Sequence, residues 1–126
     1  MKKWILKFAF WKTPNDIFEA VKSSRKTIET RPLNPKSTKN YAHMKSEDQV
    51  EIVSLDTKER LIKTVDFIHT YRSVSRMADQ EDIGKILPGV KSKEELLEAF
   101  DEFKKKWGKD YAFKLDNYGI VAIGLK

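Results

Sequence analysis

The sequence contains no cysteine and only two histidines, His43 and His69. Without cysteine there can be no disulfide, no thiolate metal ligand and no cysteine nucleophile. Two histidines make a zinc site improbable, so neither a metal nor another cofactor is expected. No apolar run reaches the length that crosses a bilayer, which argues against a membrane helix and a membrane partner. Met1-Lys2-Lys3-Trp4 has the basic start of a secretory leader. The apolar run after it is interrupted by Lys7 and Lys12, and no small-residue cleavage site follows, so the expected location is cytoplasmic.

Charge and aromatic side chains are abundant. The chain has 25 Lys and Arg against 19 Asp and Glu, a net charge of +6 and, at 35%, a high charged fraction. That fraction fits a thermophilic source and a wet binding face equally. The positive balance favours a polyanionic partner, because lysine and arginine on phosphates release condensed counterions. Three Trp, four Tyr and seven Phe supply a core. A length of 126 residues suits one domain over 1–126.

Trp4, Leu6, Phe8 and Phe10 alternate with Ile5, Lys7, Ala9 and Trp11, the period of a half-buried strand. Thr13-Pro14-Asn15-Asp16 reads as a helix start, and Ile17, Phe18 and Val21 form the inward face of the helix that follows. A short charged strand comes next, "SSRKTIETRP", with Ile28 as its one large apolar residue. Residues 32–47 read as a long loop, in which Tyr41 and His43 stand among lysines. A hairpin follows, turning at Asp56-Thr57-Lys58-Glu59. Its second strand places Leu61, Val65, Phe67 and Tyr71 on one face and Ile62 and Ile68 on the other. His69 shares the face of Phe67 and Tyr71, where a packed strand histidine is the plain reading.

One helix is expected from Ser75 to about Leu87, ended by Pro88-Gly89. A second begins at the capping box Ser92-Lys93-Glu94-Glu95 and carries Leu96, Phe100, Phe103 and Trp107 as core, with Gly108 as its cap. Tyr111, Phe113 and Leu115 alternate and read as a strand. Asp116-Asn117 would then turn into a closing strand over 118–125. The expected fold is α+β: a small barrel of five to seven strands decorated with about three helices, since closure removes unpaired edges.

The stretch Arg25-Lys26-Thr27-Ile28-Glu29-Thr30-Arg31 after the first helix resembles the signature of the ASCH family, small domains of the PUA-like barrel superfamily. The resemblance extends to the polar turn Ser46-Glu47-Asp48-Gln49 before Val50, to Tyr71-Arg72-Ser73, to Glu81-Asp82, to Pro88-Gly89 and to the closing "YGIVAIGL". It implies RNA or nucleotide binding in a cleft of the barrel. Through the small bacterial members that hydrolyse acetylcytidine, and relatives assigned nuclease activity, it also implies a hydrolase acting on a modified nucleobase amide or an RNA phosphodiester. Carried over to this chain, the acting pair would be Lys26 and Glu81. Glu29 stands where those enzymes have a threonine, and Ser24 where the family has glycine, so the binding reading leads.

In a regular strand Thr27, Glu29 and Arg31 share one face, and Lys26 shares the other with Ile28 and Thr30. Lys26 and Glu29 meet in one pocket only if Lys26 lies in the turn leaving the helix, or if a bulge intervenes. Two readings stand for Glu29 and Arg31: an exposed ion pair worth well under ~1 kcal/mol, or a guanidinium fork for a phosphate or base edge with Glu29 orienting it. Lys26 suits a phosphate as a point charge. Tyr71 and Arg72 at a strand end can stack on and clamp a base. Glu81 falls on a helical stripe with Met77 and Gly84. The expected cleft is therefore lined by Lys26, Glu29, Arg31, Tyr71, Arg72 and Glu81, with RNA or a nucleotide as partner.

Overall fold

A computed structural model describes residues 3–8, 17–38, 40–55 and 57–126. Phe10 and the expected helix start at Thr13-Pro14-Asn15-Asp16 lie outside the described residues, as does Asp56.

The described chain runs β1 (Lys3–Phe8), α1 (Ile17–Lys22), β2 (Ile28–Pro32), a 3-10 turn (Tyr41–His43), β3 (Gln49–Ser54), β4 (Arg60–Tyr71), α2 (Val74–Gln80), α3 (Ile83–Ile86), α4 (Lys93–Trp107), α5 (Lys109–Tyr118) and β5 (Ile120–Leu125). The five strands form one mixed sheet in the order β1-β3-β4-β5-β2. β1 runs parallel to β3, and the other pairs are antiparallel. The sheet curves into a half-barrel. Among the described residues it does not close: β1 and β2 are its two edges, and Pro32, which cannot donate to a ladder, sits on one of them.

At β5 both faces of the sheet are buried, so that strand has no exposed residue among its six. Trp4, Leu6, Phe8, Phe18, Val50, Ile52, Val65, Val121 and Ile123 fill the concave side. Ile28, Met77, Ile86, Leu96, Phe100, Leu115, Ile120 and Ala122 join the helices to the other side. The alternation read in β1 holds: Trp4, Leu6 and Phe8 are inward and Lys3, Ile5 and Lys7 exposed.

Three expectations are corrected. First, the register of β4 shifts between Val65 and Phe67, a bulge at Asp66. The extra residue inverts the alternation. Leu61 and Val65 therefore share the concave core with Ile68, while Phe67 and Tyr71 face the helices. Second, the helix expected over 75–87 is two. Asp82 caps α3, its Oδ1 accepting from the Gly84 N–H at 3.1 Å, and that competing bond ends α2 at Glu81. Third, residues 109–118 are a helix, not a strand. Leu115 is buried and Tyr111 half-buried, four residues apart, while Phe113, needed for the alternating reading, is 54% exposed. Helices thus number five among the described residues.

The long segment after β2 is packed at its far end. Tyr41 lies against Trp4 (centroids 6.1 Å apart), and Met44 is buried. Asp48 is buried in the polar turn and accepts from Trp4 Nε1 at 3.1 Å and from the Lys45 N–H at 2.9 Å, joining that turn to β1.

Candidate functional site

The gap between the two sheet edges is a groove of about 480 Å3. One wall is β2, with Glu29, Thr30 and Arg31; across the gap stand Lys7 and Phe8 of β1. Phe103 and Trp107 at the end of α4 and Asp110, Tyr111 and Lys114 of α5 form another side, with Lys114 Nζ 2.8 Å from Asp110 Oδ2, and Ile17 and Leu55 also line it. The groove exists because the sheet stops short of closure and α4 and α5 fold back over the β2 edge.

Its charge is organised from below. Lys26 lies in the turn between α1 and β2, after Ser24 at φ 62°, so it escapes the strand parity that would have separated it from Glu29. Its ammonium is 4% exposed and donates to the Ile28 carbonyl at 2.7 Å and the Ile86 carbonyl at 2.5 Å, with Glu29 Oε1 at 3.5 Å. These three partners match its three hydrogens. Lys26 is thus a post beneath the groove floor, not a hand reaching into it. Burial pushes its pKa below the usual lysine range; Glu29 draws it back, and Arg31 adds to the fall.

Glu29 is 6% exposed. Its carboxylate accepts from the Thr30 N–H and from Arg31 Nη1, both at 2.8 Å. Burial alone would raise its pKa, but Arg31, Lys26 and the Thr30 N–H outweigh it, and the carboxyl sits below the ordinary value. Arg31 spans the gap: Nη1 also donates to the Thr30 carbonyl at 3.0 Å and Nη2 to the Lys7 carbonyl at 3.3 Å, with the guanidinium 5.4 Å from the Phe8 ring centroid. Of the five guanidinium N–H groups, three are engaged in these bonds, and among the described residues the other two have no partner. The same field acts on Tyr111, whose pKa is pushed up to about 12 by burial and by Glu29, with Arg31 opposing.

Of the sequence-predicted residues, Lys26, Glu29 and Arg31 form this one cluster. The other three lie elsewhere. Tyr71 and Glu81 form a separate group with His69 on the helix-facing side of the sheet. Arg72 borders a smaller hollow of about 220 Å3 with Asp101 and Lys104. Lys26 and Glu81, the pair expected to act together in catalysis, are each committed to different partners.

Sequence reasoning missed the groove's other walls. Trp107, expected in the core, is 45% exposed. Tyr111 and Lys114 were hidden by the strand reading of 111–115. Their spacing of three residues, on one side of a helix, was the signal available.

No family model matches the chain, and no curated protein matches it. Two solved structures are similar over nearly its whole length. One is the crystal structure of hypothetical protein PH0355, 28% identical, covering 98% of this chain and 97% of that one with a TM-score of 0.68. The other is the solution structure of protein PF0455 from Pyrococcus furiosus, 27% identical, covering 98% and 96% with a TM-score of 0.61.

Proposed function

We propose that the chain is an ASCH-type, PUA-like domain that binds RNA or a nucleotide, and that the edge-to-edge groove receives it. The observation that supports this most is Arg31. Its guanidinium is held at three points, oriented by a buried carboxylate, and keeps two donors for an incoming oxygen pair, the arrangement that suits a phosphate or a base edge. Aromatic side chains stand beside it. A volume of about 480 Å3 is in the range of small-ligand sites, and Trp107 and Tyr111 offer faces on which a base can stack. Lys7 adds positive charge, Lys114 stands beside it paired with Asp110 at 2.8 Å, and the net charge of +6 supplies long-range attraction. Lys26 acts by setting the field under Glu29, without touching ligand.

The hydrolase reading draws less support. Lys26 has its hydrogens occupied and Glu81 belongs to the other group, so the pair has no common reaction centre.

Fluorescence anisotropy with short labelled single-stranded RNA, at two salt concentrations, tests the reading. Binding is expected to weaken as salt rises. Trp107→Ala is expected to weaken it by roughly 10-fold or more through lost stacking. Lys114→Ala should weaken all sequences alike and flatten the salt slope. No binding at low salt, or full binding in both variants, contradicts it.

A further inference from the structure

The group on the helix-facing side of the sheet has a geometry of its own. Glu81 caps the end of α2, its N–H donating to the Met77 carbonyl at 2.9 Å, so its position is fixed by a helix. Its side chain is only 7% exposed, and Oε2 accepts from His69 Nδ1 at 2.6 Å and from the Tyr71 hydroxyl. The Tyr71 pKa is pushed up to about 12 by burial and by Glu81, so the phenol stays a donor at ordinary pH. With Tyr71 donating to the same oxygen, His69 must also present a proton there. Its neutral ring is then the Nδ1–H tautomer, with the lone pair on Nε2.

The ring is held firmly. His69 stacks on Phe67 at 4.4 Å between centroids and meets Tyr71 edge-on at 6.4 Å. Phe67 in turn lies over Gly124, where a Cβ would come within 2.2 Å of its ring. Yet the His69 side chain is 50% exposed, and Nε2 has no protein partner among the described residues. An imidazole with one nitrogen fixed by a buried carboxylate and the other open to solvent is the arrangement of a general base or nucleophile.

We propose that His69 is a catalytic nucleophile towards small activated acyl esters, with Glu81 as its positioning residue, at a site separate from the groove. The Nε2 lone pair forms a bond to the carbonyl carbon, and the bond from that carbon to the leaving oxygen breaks, its electron pair departing with the leaving group. Glu81 offsets the positive charge on the acylated ring through Nδ1–H. Water then adds to the acyl carbon and loses one proton to solvent, the C–N bond breaks with its pair returning to Nε2, and the carboxylic acid formed gives its own proton to solvent as well.

The test is hydrolysis of 4-nitrophenyl acetate by the full chain at mildly alkaline pH, with mass spectrometry of the trapped acyl-protein and 15N NMR of the histidine rings. His69→Gln is expected to lower the rate at least about 10-fold. Glu81→Gln should lower it roughly 10-fold and shift the His69 tautomer towards Nε2–H. His43→Gln, at an exposed histidine of the 3-10 turn, should leave the rate unchanged. Acylation should map to His69. An unchanged rate in His69→Gln, equal acylation of His43, or a wild-type His69 in the Nε2–H form would overturn the proposal; the last needs no variant to fold.

Discussion

Glu29→Ala is expected to lower stability by about 3–5 kcal/mol, the cost of leaving buried charge uncompensated. That corresponds to a fall in Tm of roughly 10–20 °C for a chain of this size. Lys26 would keep two carbonyls but lose its one carboxylate partner among the described residues while remaining 4% exposed, and Arg31 would lose its ion pair with Glu29. Thermal unfolding measures this directly. Lys26→Met combined with Glu29→Gln should recover a large part of the loss, because a neutral filling needs no counter-charge. If Glu29→Ala unfolds within about 2 °C of the parent, the cluster is not a buried strut, since a surface pair would cost about that little.

Acid unfolding gives an independent check. The Glu29 carboxyl has its pKa lowered in the fold from an ordinary value of 4.5. The folded state therefore holds this proton less tightly than the unfolded state. Its contribution is fully present above pH 4.5 and is lost as pH falls through the lowered folded value. In Glu29→Gln that part of the acid limb should be missing, so stability should fall less steeply below pH 4.5 than in the parent.

Gly119→Ala is the second large effect expected. Gly119 joins α5 to β5 at φ 102°, a conformation that L side chains rarely adopt, and a Cβ there would lie 2.2 Å from the Tyr71 carbonyl oxygen. That oxygen belongs to the backbone of β4 and cannot swing away. Its own carbonyl also accepts from the Leu33 N–H at 2.9 Å, tying the α5–β5 corner to the end of β2. Strain and clash together should cost about 3 kcal/mol or more. Gly89→Ala is the matched control. Its φ is 94°, but nothing lies within 4 Å of the added carbon, so only the strain applies. Equal loss in the two variants, read as midpoints of urea unfolding, would show that the Tyr71 contact is not the cause. Because α5 carries Tyr111 and Lys114, Gly119→Ala should also weaken ligand binding in the groove.

Much of this architecture could be read from local pattern. The alternation of β1, the hairpin turn, Ser92 capping α4 at the Glu95 N–H and Gly108 at φ 95° are each set by neighbours in sequence. The parts that could not be read depend on contacts between distant elements. The bulge at Asp66 has no marker in its own residues; it follows from β4 serving β3 along one half and β5 along the other. That single insertion moves Phe67, His69 and Tyr71 to the helix side, and with them Glu81's partners. His69 is accordingly packed on Phe67, as a strand histidine is expected to be, yet half-exposed and bound to a carboxylate.

The candidate site divided for the same reason. Glu29 and Arg31 were legible from their charge and their place after the first helix. The depth of Lys26 was not, because it depends on α3 delivering the Ile86 carbonyl from 60 residues away. In 111–115, aromatic residues two apart imitated a strand, and only the burial of Leu115 beside the exposure of Phe113 separates that pattern from a helix.

The most direct test of the proposed function is a two-dimensional NMR titration of the chain with cytidine monophosphate, followed by a short single-stranded RNA. Shifts should gather at the Arg31 side chain, the Trp107 indole N–H and the Tyr111 and Lys114 amides, with the Lys26 ammonium environment moving little. Shifts centred on Arg72, or on the His69–Glu81 group, with Arg31 and Trp107 still, would contradict it.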